Sequence, residues 1–148
     1  MISMKLGLWI GWMGLLAGCG ATTPSAPPTA PDAKPADPSL PPPSGATVEV
    51  KWNGVGHRAA GRARVTIGGG RGRVEFLSDF SVEAVPAPYL YLGTAATPNS
   101  GTPLRIARLR ANSGAQQYDF EVPAGIQYTW ILIWCDQFNV PVAEAAVP

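Results

Sequence analysis

Residues 128–135 read Tyr-Thr-Trp-Ile-Leu-Ile-Trp-Cys, and both alternating sets of side chains in this run are apolar. A strand with one wet face alternates apolar with polar residues, so a run that is apolar on both parities must be covered from both sides. The run therefore predicts a central strand. Ile131, Ile133 and Cys135 share one face, and Trp130, Leu132 and Trp134 share the other.

Half-buried strands surround it. Val48, Val50 and Trp52 alternate with Glu49 and Lys51, the two-residue period of a strand with one face on a core. Residues 62–67 and 72–77 flank Gly68-Gly69-Gly70 and predict a hairpin with Ala63, Val65, Ile67, Val74 and Phe76 on one side. Further strands are legible at 89–92, 104–109, 118–122 and, shorter, at 140–145. Pro86, Pro88, Pro98, Pro103, Pro123 and Pro141 fall between or at the edges of these runs, where a missing amide does least harm. The expected fold is all-β: one antiparallel sandwich or barrel-like domain of about seven to eight strands over residues 46–148. The glycines at 68–70 lead into another strand pattern rather than a helix start, so they do not read as a phosphate loop.

The N-terminus has a different character. Lys5 is the lone charge ahead of Cys19 and precedes an apolar run over residues 6–16, of signal-peptide length and too short to span a bilayer stably. The run ends in Leu16-Ala17-Gly18-Cys19, which resembles the lipobox of bacterial lipoproteins. The resemblance implies removal of residues 1–18, lipid on Cys19, and attachment to a cell-envelope membrane outside the cytoplasm. Two or three acyl chains make such an anchor effectively permanent. Gly20, where an aspartate would resemble an inner-membrane retention signal, favours the outer membrane or cell surface. Residues 19–45 then form a linker rich in Pro, Ala, Ser and Thr, with Leu40 its one bulky apolar side chain. Such a segment is expected to be disordered and extended, reaching on the order of 80 Å at about 3.1 Å per residue. A spacer is the preferred reading over a Pro-rich ligand for a recognition module. The formal net charge of +1, with basic and acidic residues interspersed, excludes a nucleic-acid footprint.

Gly61 and its strand, Leu77-Ser78-Asp79-Phe80, Pro88-Tyr89-Leu90-Tyr91-Leu92, Gly114 through Gln117-Tyr118, Val122-Pro123 and Ile133-Trp134-Cys135-Asp136-Gln137-Phe138-Asn139-Val140 occur in this order. Together they resemble the electron-transfer DM-thirteen domain family, across residues 47–146. At the end, Val142-Ala143-Glu144-Ala145 stands where the family has an aromatic-glycine pattern. The resemblance implies an all-β envelope module that transfers electrons through one cysteine, as a bare thiol or as a ligand to a group such as haem. The matching cysteine is Cys135.

With Cys19 lipidated, Cys135 has no partner in the chain for a disulfide. Three readings stay open for it: an inert core thiol, a redox thiol, or a thiolate ligand to a metal or to non-covalent haem. The first belongs to a non-catalytic surface binding or structural module, the others to a redox module with an unidentified redox or protein partner. No Cys-x-x-Cys-His occurs, every methionine lies within residues 1–18, and His57 is the one histidine, so c-type haem, copper and zinc sites are not expected. His57 reads as a loop residue, and Asp79, Asp119 and Asp136 as solvated acids at loops or strand ends. The chain does not read as a hydrolase.

Overall fold

The computed structural model describes residues 26–148; the signal-like run and Cys19 lie outside them. The described residues form eleven strands: β1 (Thr47–Lys51), β2 (Asn53–Gly54), β3 (Ala59–Ala60), β4 (Arg62–Gly68), β5 (Arg71–Phe76), β6 (Ser81–Val82), β7 (Pro88–Gly93), β8 (Leu104–Arg108), β9 (Gln116–Glu121), β10 (Trp130–Cys135) and β11 (Val140–Ala146). Without the two-residue pieces β2, β3 and β6, the longer strands are those the alternation predicts. One sheet has the order β1-β4-β5-β9 and the other β2-β11-β10-β7-β8, with β3 and β6 as a small separate pair. The strand pairings within the sheets are antiparallel.

The two sheets share one core, to which Val50, Ala63, Val65, Val74, Phe76, Tyr118 and Phe120 contribute from the first and Leu90, Leu92, Ile131, Ile133 and Cys135 from the second. Trp52 stacks on Phe76 with ring centroids 5.4 Å apart, and Phe80 meets the same ring edge-on at 4.4 Å. Such contacts add stabilisation beyond the area buried. The hairpin between β4 and β5 turns on Gly69 and Gly70, with φ of 65° and 74°. A two-residue turn with both central residues left-handed matches the twist of the flanking strands. Around Gly70 there is open space for a Cβ, so Gly70→Ala should cost only the left-handed backbone strain, about 1–2 kcal/mol. Urea unfolding followed by circular dichroism measures it.

β10 is central, paired along its length with β7 and β11. Its inner row joins the main core, and its outer row forms a second cluster in which Leu132 and Trp134 pack with Tyr91. Two irregularities shape this sheet. Across from Ile133 and Trp134, the partners on β11 are Ala143 and Pro141, so Val142 is an extra residue and Pro141 sits at the bulge, where its missing amide is tolerated. On β8, Leu90 faces Ala107 but Tyr91 faces Arg105, so Ile106 is extra. Without that extra residue the parity of β8 would turn Arg105 into the core; with it, Arg105 lies beside Tyr91 on the outer face.

Part of the described Pro-rich segment is bound through its backbone to the edges of the sheets. The Arg105 amide donates to the Pro31 carbonyl at 2.9 Å and the Ala33 amide to the Arg105 carbonyl at 2.6 Å. Farther on, Glu121 N–H donates to Lys34 at 2.8 Å and Ala36 N–H to Asp119 at 3.2 Å. Residues 31–36 thus strap the free edge of β8 to the free edge of β9. The Arg71 guanidinium then holds the carbonyls of Asp37 and Pro41. A reading from side-chain hydrophobicity misses this because the unpaired backbone of two sheet edges, not an apolar face, supplies the attraction. Only Ala33 joins the main core.

Candidate functional site

Cys135 ends β10, opposite Pro88 on one neighbour and Val140 on the other. It is a free cysteine with 0% exposure, sealed among the inner-face residues of the sandwich. Residues 136–139 then turn the chain, with Asn139 in the left-handed region at φ 51° and Phe138 exposed. Asparagine tolerates that conformation better than most side chains.

A haem held by this thiolate would need a cavity reaching the sulfur. Among the described residues, five main surface clefts are lined by other residues, and Cys135 itself has no exposed surface. His57 lines a cleft with Arg58 and Glu83, its Nδ1 3.7 Å from the Glu83 carboxylate. The residues present do not fit a haem on Cys135.

The chain's more unusual chemistry lies one residue on, across the sheet. Asp136 is only 6% exposed, in contrast to the solvated acid expected from its place after a strand. Its Oδ1 accepts a hydrogen bond from the Tyr91 hydroxyl at 2.7 Å, and its Oδ2 lies 2.8 Å from Arg105 Nη2. The guanidinium of Arg105 also stands 3.7 Å over the Tyr89 ring and reaches Asp32 of the strap at 3.2 Å. Trp134 Nε1 donates to Asn139 Oδ1 at 3.0 Å beside them. A cleft of about 320 Å³, lined by Pro27, Pro28, Ala87, Tyr89, Arg105, Asp136 and Gln137, opens on the cluster.

Burial pushes the Asp136 carboxyl above the usual aspartate range, although the Tyr91 hydrogen bond and the Arg105 charge both pull it down. Burial, followed by the bond to Asp136, drives the Tyr91 hydroxyl far above its ordinary value. The other acids are conventional: Asp79, in the turn after β5, pairs with Arg62 at 2.9 Å, and Asp119, on β9, pairs with Arg73 at 2.7 Å. The three aspartates are not brought together. Sequence reasoning missed Tyr91, Arg105 and Asp136 as a group because it takes the extra residue at Ile106 to place Arg105 opposite Tyr91.

Fold and site define a small two-sheet β module with a sealed cysteine on its central strand and a buried tyrosine–aspartate–arginine network next to it. Residues 53–147 match the family model described as electron transfer DM13, and the chain belongs to that family. The match takes in β2 through β11 and leaves β1 and the strap outside it. No curated protein and no solved structure matches the chain.

Proposed function

We propose that this is a lipid-anchored envelope protein whose β domain exchanges electrons with a partner. The observation that carries the reading is the family match across the sandwich, with the cysteine singled out by resemblance lying at the end of the central strand. In this reading Cys19 bears the acyl groups, residues 1–18 are removed, and the domain is held at the outer membrane or cell surface with Cys135 as its redox candidate. The burial of Cys135 favours one kind of chemistry over another. Attack on a disulfide or peroxide needs the sulfur in contact with the reagent, whereas an electron can leave or arrive without contact.

The same burial supports a second reading, a binding or structural module in which Cys135 only packs. Voltammetry of the purified full chain with soluble mediators separates the two. A reversible couple, oxidation first and then re-reduction, that Cys135→Ala removes is the expected result. A redox-silent wild type, with Cys135→Ala changing stability alone by on the order of 1 kcal/mol, overturns electron transfer. A couple indifferent to Cys135→Ala moves the redox centre away from the sulfur. Radiolabelled palmitate fed to the expressing cells should enter the wild-type chain and not Cys19→Ser.

A further inference from the structure

We propose that Tyr91 is a redox-active tyrosine, its hydroxyl proton passing to Asp136 when the ring gives up an electron and returning when the electron is restored. The inference rests on the electron-transfer reading above but not on Cys135. A phenol that loses an electron becomes a strong acid, so oxidation in a buried site is feasible only where a base lies within hydrogen-bond reach. Tyr91 has 0% exposure, and its hydroxyl donates to Asp136 Oδ1 at 2.7 Å.

The other tyrosines lack this arrangement. Tyr89 lies under the Arg105 cation at 3.7 Å, which opposes the loss of an electron from the ring. Tyr118 shares its hydroxyl with Gln116 Oε1 and the Arg110 amide, and Arg110 stands over its ring at 4.7 Å. Tyr128 is buried, but among the described residues its hydroxyl has no carboxylate partner.

The step balances simply. Tyr91 O–H and the Asp136 carboxylate become a neutral tyrosyl radical and a carboxylic acid, and the electron reduces a one-electron oxidant at the cleft beside Tyr89. Arg105 stays on Oδ2 at 2.8 Å and holds the carboxylate in its accepting position. Of the charged groups around the pair, Asp32 is the farther one, joined through Arg105. The leaving proton need not cross the core, because donor and acceptor are already in contact. Burial also keeps the radical from water and from other chains, which lengthens its life.

Flash photolysis of the full chain with ruthenium tris-bipyridine and a sacrificial acceptor supplies the oxidant. Electron paramagnetic resonance then reads the product, with ring-deuterated tyrosine marking the signal as tyrosyl. The expected result is a tyrosyl radical whose yield falls at least tenfold in Tyr91→Phe and stays within twofold in Tyr128→Phe. Asp136→Asn, which leaves the ring in place and removes the base, should slow its formation at least tenfold, and near-ultraviolet circular dichroism checks that each variant is folded. An undiminished radical in Tyr91→Phe, or an unchanged rate in Asp136→Asn, overturns the assignment to Tyr91 and leaves electron transfer standing. A wild type that takes up no oxidising equivalents overturns both.

Discussion

In the folded protein Cys135 is expected to react with an aromatic disulfide reagent about a thousandfold more slowly than in urea, or slower still. The sulfur belongs to the core, and the strand carrying it is hydrogen-bonded on both sides to β7 and β11. Reaching it means lifting a central strand, which costs a large share of the global stability of roughly 5–15 kcal/mol. Each 1.4 kcal/mol or so of opening cost is about a factor of ten. Stopped-flow labelling in buffer and in urea gives the ratio. A native rate within tenfold of the unfolded one would show that the turn over residues 136–139 opens readily, and thiol–disulfide exchange would return as the working chemistry.

Replacing Arg105 with methionine should destabilise the domain by about 3 kcal/mol at neutral pH, the lower end of what breaking a buried ion pair costs, since Arg105 is itself partly exposed. The variant keeps a long side chain over Tyr89 but leaves the Asp136 carboxylate, among the described residues, with the Tyr91 hydroxyl as its hydrogen-bond partner. The pH dependence carries the diagnosis. Burial already holds the Asp136 carboxyl above its ordinary value, and without the guanidinium it rises further. A carboxyl raised in the folded state binds its proton more tightly there than in the unfolded chain, whose aspartate titrates near 3.9 or so. The folded variant is therefore penalised as pH climbs from about 4 through the raised value. The gap between variant and wild type should be small in acid and full at neutrality. Adding Asp136→Asn to Arg105→Met should recover part of the loss and flatten its pH dependence. A loss that does not change with pH would mean that Arg105 contributes packing alone.

The all-β class, the eight longer strands and the hairpin at Gly69-Gly70 are legible in the sequence because side-chain parity reports which face meets a core. The same logic puts Ile131, Ile133 and Cys135 on one side of β10 and Trp130, Leu132 and Trp134 on the other, as found. Parity reasoning fails where the ladder slips. Ile106 and Val142 are extra residues that reverse the pattern; Pro141 hints at the second, and nothing in the local composition marks the first. Arg105 therefore reads as one more surface charge, and Asp136 as a solvated acid, although the two meet in an ion pair at which the aspartate is buried. Main-chain pairing is equally silent: Pro31, Asp32 and Ala33 have a linker's composition, and only the vacant edge of β8 gives them a place to bind.

That docking shortens the leash. With an anchor at Cys19, as proposed, the tether that sets the reach ends at or before Pro31 instead of at the first strand. Fully stretched at about 3.3–3.6 Å per residue, it spans roughly 40 Å, half of what the whole Pro-rich stretch would give. The domain would then work close to the lipid surface. Any tug from the membrane would arrive at the seam between β8 and β9, beside Tyr89 and Arg105, and not at β1.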